Sequence, residues 1–183
     1  MQDLAMYILE ILMNSIHANS KLIKLLISFI TKDDEVKIII EDNGKGMDEE
    51  RLKTVVSPFS TSRTTRKIGL GVAFLKSLCE SCEGDLVIES KVGVGTKTVA
   101  TYRLSNIDSP PLGDIGEMMM FAIQANEAID YEFDFIKDNY HFSFNTKEIR
   151  EQLGGINLDN PDILLWIKDY INQEIRREDL WRV

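Results

Sequence analysis

Glu10, Asn14 and His17 fall at i, i+4 and i+7 of a helical run, so a carboxylate, an amide and an imidazole share one face. Ala18 and Lys21 extend that stripe. Such a face lines either solvent or a cavity, because burying a carboxylate and an amide without partners is costly. Further along, Asp42-Asn43-Gly44-Lys45-Gly46-Met47 follows a hydrophobic run. Gly44 and Gly46 permit positive φ and let a ligand approach the backbone closely. An aspartate at a strand end can accept a hydrogen bond from an exocyclic amine while Met47 and the strand pack on a flat base. The same residues also suit an ordinary turn. Gly69-Leu70-Gly71 heads a second helical run, just after Arg63, Arg66 and Lys67. Backbone N–H groups at a helix start, with cations nearby, suit a phosphate chain. Gly93-Val94-Gly95-Thr96 forms a further glycine turn before a strand. Each signal is weak alone; their order and spacing together are strong.

The elements that must hold these residues follow from periodicity. Residues 3–19 predict a helix that is apolar on most sides, through Leu4, Met6, Ile8, Leu9, Ile11, Leu12 and Ile16, and so packs on a sheet. Residues 22–30 and 35–41, separated by a polar turn, predict an antiparallel hairpin. Asp48 is a suitable N-cap for a short helix to about Val55, with Glu49 and Glu50 in its first turn. Residues 57–68 read as an exposed loop, 70–82 as a helix, and 85–90 and 96–104 as strands about the glycine turn. Composition then changes at 106–113, which reads as a linker between a unit 1–105 and an α/β extension 114–183. The extension predicts a helix at 114–126, alternating segments at 129–136 and 140–145, a short helix at 146–153 and an amphipathic run at 161–177. His141 lies in an alternating segment and reads as structural; the extension, with Trp166, Trp181 and the run 161–177, could serve docking or equally could only cover one edge or face of the sheet.

Composition narrows the classes. Hydrophobic residues are 44% and charged residues 28% of 183, the balance of a globular domain with a real core. A net charge of −9 argues against nucleic acid or an anionic membrane as partner, and leaves room for a small anionic ligand at a local basic patch. The opening residues do not read as a secretory signal, and no apolar run is long enough to span a bilayer. Cys79 and Cys82 lack the further ligands that zinc needs and read as helix packing. The expectation is a reduced, cytoplasmic protein.

The ordered motifs resemble the Bergerat fold of the histidine-kinase-like ATPase superfamily: gyrase B subunits, mismatch-repair ATPases, ninety-kilodalton heat-shock chaperones and histidine kinases. Residues 10–18 look like its N box, Asp42 to Gly46 its first glycine motif, Gly69 to Gly71 its second and Gly93 to Thr96 its third; the likeness covers about residues 3–104. Pro58-Phe59-Ser60-Thr61-Ser62-Arg63 looks like the start of a histidine-kinase nucleotide lid. The resemblance implies an α+β two-layer sandwich, a mixed, mostly antiparallel sheet with helices on one face. It also implies ATP and Mg²⁺ as ligands.

Carried over position by position, Asn14 holds the metal and Asp42 takes the adenine amino group. Ala18, Gly44, Gly46 and Met47 belong to the nucleotide pocket. Gly69, Leu70 and Gly71 offer phosphate donors, Arg63, Arg66 and Lys67 supply charge, and Thr96 sits beside Asp42. Glu10 stands where gyrase-like relatives place a general base, or it orients a metal-bound water. The sequence departs from the pattern at Lys67, where the second motif ordinarily begins with glycine, and at His17. The leading function is a stand-alone kinase-type module passing the γ-phosphoryl group to a separate protein. An ATP-hydrolysing switch and a non-catalytic, anti-sigma-like binding protein stand as alternatives, and self-association as a homodimer is compatible with all three.

Overall fold

The computed structural model describes residues 3–56 and 70–176. Helix α1 (Leu4–His17) opens the fold, capped by the Asp3 carboxylate, which accepts the Met6 N–H at 3.0 Å. Two more of its first-turn donors, Leu4 and Ala5 N–H, are taken by the carbonyls of Pro111 and Leu112. The segment after residue 105 is thus stitched to the start of the chain. Leu4, Ile8, Ile11, Leu12 and Ile16 form the buried face of α1. Each such side chain taken from water stabilises the fold by roughly 1.5–3 kcal/mol.

Strands β1 (Leu22–Ile30) and β2 (Glu35–Asp42) form the expected hairpin around a single 3-10 turn. Helices α2 (Glu49–Val56) and α3 (Leu70–Ser81) follow, then β3 (Asp85–Lys91) and β4 (Gly95–Arg103). The expected loop 57–68 lies outside the described residues. Beyond it come α4 (Ile115–Ala125), β5 (Asp130–Lys137), β6 (Tyr140–Asn145), α5 (Thr146–Leu153) and α6 (Pro161–Ile175).

The six strands make one mixed sheet in the order β3-β4-β2-β1-β5-β6. All neighbours are antiparallel except β1 and β5, which run parallel with Leu22 opposite Asp130 and Phe29 opposite Lys137. Residues 130–145 therefore extend the same sheet that carries the glycine turns.

Strand periodicity decides which face is covered. Ile23, Leu25, Ile27 and Phe29 of β1, Val36, Ile38 and Ile40 of β2, and Tyr131, Phe133 and Phe135 of β5 are all buried. The core lies between this face and helices α1, α3, α4 and α6. The other face carries ion pairs, Lys24 with Glu132 at 2.9 Å and His141 with Asp134 at 2.7 Å, beside an apolar row of Leu26, Ile39, Val99 and Val87. This is the α+β sandwich that the motifs imply. Among the described residues no helix is long and apolar enough to cross a membrane.

Candidate functional site

The alternation that sends Val36, Ile38 and Ile40 into the core also sends Asp42 inward, since it is the next even position on β2. An acid thus ends up 8% exposed at the end of an apolar strand. The sheet register lays Asp42, Thr96 and Ser90 side by side in one row, and Ile40, Thr98 and Ile88 in the next. These rows floor a pocket walled by Ile11, Asn14, Ser15 and Ala18 of α1 and its end, by Val55 of α2 and by Val72 of α3. The pocket opens to solvent at its mouth, and its apolar walls with a few convergent polar groups suit a small-molecule ligand.

Both oxygens of Asp42 are aimed by the protein. Ser15 Oγ donates to Oδ2 at 2.7 Å and the Gly44 N–H donates to Oδ1 at 2.8 Å. Each oxygen keeps a further lone pair, so the carboxylate is both fixed and still able to accept. Beside it, Ser90 and Thr96 hydroxyls lie 2.8 Å apart, and Ser90 Oγ accepts the Met47 N–H at 2.9 Å. Gly46 makes that join. Its φ is +65°, and a Cβ there would lie 2.0 Å from the Lys91 carbonyl, so the 43–47 loop can sit on the β3–β4 turn only with glycine. The Gly93 N–H donates to the Lys45 carbonyl across the same contact at 2.8 Å.

Electrostatics grade along the pocket. The anion, Asp42, sits at its inner end, while Lys45 and Arg51 line it without an ion-pair partner among the described residues. Asn14 and His17 also line it, and neither side chain makes a hydrogen bond among the described residues. The arrangement offers an acceptor and apolar walls to a flat amine-bearing ring, and cations and an amide to something anionic.

Of the residues singled out in the sequence, Asn14, Ala18, Asp42, Gly46, Met47 and Thr96 come together around this one pocket. Gly44 does not line it; it packs beneath Ala18 and Ser20 and gives its N–H to Asp42. Glu10 is exposed and also stands off the pocket lining, at the crossing of α1 with α3. That crossing is close because of Gly71, where a Cβ would lie 2.7 Å from the Glu10 Cβ. Leu70 is exposed at the start of α3. Arg63, Arg66, Lys67 and Gly69 lie outside the described residues. Sequence reasoning did not find Ser15, Lys45, Arg51, Ile88 or Thr98 as pocket residues. Ile88 and Thr98 could be found only from strand register, whereas Ser15 carried one available signal, a hydroxyl next to Asn14 on an otherwise apolar helix.

Fold, pocket and motif order together define a nucleotide-binding class of protein. Residues 2–106 match the family described as histidine kinase-, DNA gyrase B- and HSP90-like ATPase. The chain belongs to that family and carries its ATP-binding domain. Among curated proteins it is 38% identical over 66 residues to a probable C4-dicarboxylate sensor kinase of Halalkalibacterium halodurans, covering 36% of this chain and 12% of that one. It is 38% identical over 63 residues to sporulation kinase E of Bacillus subtilis, covering 34% of this chain and 8% of that protein. The chain thus spans only about a tenth of the length of these relatives. Among solved structures, the N-terminal domain of a DNA repair protein superposes with a TM-score of 0.50 at 17% identity, over 78% of this chain and 52% of that one. At that identity the likeness concerns the fold alone.

Proposed function

We propose that the protein binds Mg-ATP in the pocket between α1 and the sheet and transfers the γ-phosphoryl group to a separate signalling protein. One observation carries the nucleotide pose: a buried carboxylate, held at both oxygens, at the end of an apolar slot. Asp42 accepts a hydrogen bond from the adenine amino group, Met47, Ile88 and Val72 pack on the base, and Gly46 lets the loop lie close to it. Thr96 and Ser90 support the acceptor from the next strands. The phosphates then run towards Asn14 and the start of α3, where Gly71 and Leu70 stand; Arg63, Arg66, Lys67 and Gly69, outside the described residues, are the further sources of charge and donors in this reading.

Magnesium suits this donor set. Among the described residues no cluster of three acidic, histidine or cysteine ligands occurs and the Asn14 amide has no hydrogen-bond partner, while Asn14 lines the pocket. Mg²⁺ keeps several waters and takes few protein ligands, so one amide beside a triphosphate is a fitting site. When bound, the ion neutralises charge on the phosphate oxygens. In the transfer, the acceptor side chain forms a bond to the γ-phosphorus as the bond to the bridging β–γ oxygen breaks and ADP leaves. A hydroxyl acceptor loses its proton to Glu10.

A second reading, hydrolysis within a conformational switch, is favoured by Glu10 itself. Its carboxylate is exposed, has no hydrogen-bond partner among the described residues, and stands one helical turn before Asn14. Non-catalytic sequestration of a regulator is the remaining alternative. A cytoplasmic setting belongs to all three readings, and two buried free thiols fit it. Incubation with magnesium and γ-labelled ATP, alone and with cell extract, separates them. Label on a second protein supports the kinase, free phosphate without labelled protein supports the switch, and bound but intact ATP supports sequestration. Absence of ATP binding at millimolar magnesium overturns the shared premise.

A further inference from the structure

Behind the pocket floor, one hydroxyl has every hydrogen-bonding place taken. Ser90 Oγ accepts the Met47 N–H at 2.9 Å, lies 3.0 Å from the Gly95 carbonyl oxygen and 2.8 Å from Thr96 Oγ1. A serine hydroxyl has one proton and two lone pairs. The Met47 N–H can only donate and the Gly95 carbonyl can only accept, so they fix two of those places. Were the Ser90 proton turned to Thr96, the Ser90 and Gly95 oxygens would face each other with no proton between them. The proton therefore lies on the Gly95 carbonyl, and the Thr96 hydroxyl donates to the remaining lone pair of Ser90.

The Thr96 proton is thereby held away from the pocket. Thr96 lines that pocket and Ser90 does not, and among the described residues Thr96 Oγ1 has no hydrogen-bond partner besides Ser90. A free threonine hydroxyl accepts or donates as its ligand requires, but this one keeps only lone pairs to offer. Asp42 stands opposite Thr96 on the neighbouring strand, its carboxylate oxygens already taking the Ser15 hydroxyl and the Gly44 N–H. Two acceptors from adjacent strands thus lie side by side at the inner end of the slot.

We propose that Ser90 is a positioning residue which, through Thr96, makes the pocket select 6-aminopurine nucleotides and turn away 6-oxopurine nucleotides. This role rests on the Mg-ATP reading, since adenine must lie at Asp42. It adds a residue that does not touch the base. Paired acceptors suit a group that donates twice, and the adenine amino group carries two N–H bonds. The 6-oxo group of hypoxanthine or guanine carries none, and its lone pairs meet oxygen lone pairs on both strands. A threonine able to turn would donate to that oxygen and offset the repulsion from Asp42. With its proton kept on Ser90, Thr96 repels as well. An acceptor left without a donor in a desolvated site weakens binding by about tenfold or more.

Calorimetric titration of the full chain with magnesium and three nucleotides tests this role: ATP, inosine triphosphate and purine riboside triphosphate, which carries only hydrogen at position 6. The wild type, which needs no variant to fold, binds ATP most tightly. Inosine triphosphate is weakest, because an opposed oxygen is worse than none. Ser90→Ala frees the Thr96 hydroxyl to turn, so the preference for ATP over inosine triphosphate falls by about tenfold or more. In a Thr96→Val background the same substitution leaves that preference unchanged. General damage to the loop instead weakens all three nucleotides alike.

Three results overturn the role of Ser90: wild-type protein that binds inosine triphosphate as tightly as purine riboside triphosphate, a preference that Ser90→Ala leaves at the wild-type value, or an equal effect of Ser90→Ala with and without the Thr96 hydroxyl. In each of these ATP still binds and the Mg-ATP reading stands. Failure of all three nucleotides to bind overturns that reading, and the role of Ser90 with it.

Discussion

Substituting Asp42→Asn perturbs one atom and has a consequence that the local geometry sets. Oδ1 accepts from a backbone N–H and Oδ2 from a hydroxyl, both at ordinary hydrogen-bond distances. The amide can place its oxygen at only one of these positions. The Gly44 N–H cannot turn into an acceptor, whereas the Ser15 hydroxyl can rotate and accept. The asparagine oxygen therefore takes the Oδ1 position and its NH₂ takes the Oδ2 position. The fold keeps both contacts, and the loss of stability is small, about 1 kcal/mol or less. The adenine amino group, however, now meets a donor where it met a charged acceptor. Losing a hydrogen bond to a charged group costs about 1.5–3 kcal/mol, so ATP binding weakens roughly 10- to 100-fold. Purine riboside triphosphate, which lacks the amino group, and inosine triphosphate, which presents an acceptor there, do not suffer this loss. Calorimetric titration of wild type and variant with the three nucleotides reads the difference directly. Equal weakening for all three, or unchanged ATP affinity, would refute the assignment of Asp42 to the amino group.

Other outcomes follow from the same structure. Gly71→Ala places a methyl group 2.7 Å from the Glu10 Cβ, against a stiff part of that side chain, so α1 and α3 must part. Chemical denaturation should show a loss of about 1–3 kcal/mol despite alanine's better helix propensity, and a gain would contradict the crossing. Asn14→Ala removes a pocket amide with no hydrogen-bond partner among the described residues, so stability stays near wild type while the magnesium dependence of ATP binding falls; the reverse pattern excludes it as the metal ligand. Burial pushes the Cys79 thiol up to about 12, and Cys82 is buried too, so neither reacts with a thiol reagent at pH 8 until the chain is unfolded; rapid native-state labelling would refute this. The Lys137 ammonium and the Thr31 N–H and hydroxyl hold Asp138 down at about 2, below its ordinary 3.8. A depressed carboxylate contributes stability that is present above its unfolded value and lost as pH falls through the folded one. The acid limb of a melting-temperature profile between about pH 4 and 2 should therefore flatten in Asp138→Asn, and an unchanged limb removes that contribution.

Much of the fold was legible because period and punctuation are local. The β1–β2 hairpin, the helix that follows residue 160 and the glycine turns all announce themselves within a few residues. The parallel register of the β5–β1 join was not legible: a pair between residues 22 and 137 leaves no mark in either segment, so 114–183 read as an extension that serves docking or covers an edge or face of the sheet, without deciding between them. The site divides in the same way. Asp42 and Gly46 are visible because a strand alternation ends in a glycine loop. The Ser15 contact to Asp42 spans 27 residues and depends on how α1 lies across the sheet, and Gly44 serves the loop's packing although its motif suggests the ligand. The phosphate end rests on residues 63–69, which lie outside the described residues.

The central claim, that the slot between α1 and the β2–β4 strand ends holds ATP, is tested most directly by a methyl-resolved NMR titration with a non-hydrolysable ATP analogue and magnesium. The account predicts that Ile11, Met47, Val55, Val72, Ile88 and Thr98 shift together and saturate at one affinity, while Ile136, on the open face of β5, stays still. Saturable binding that leaves those six unmoved, or that moves the open face of the sheet instead, would contradict it.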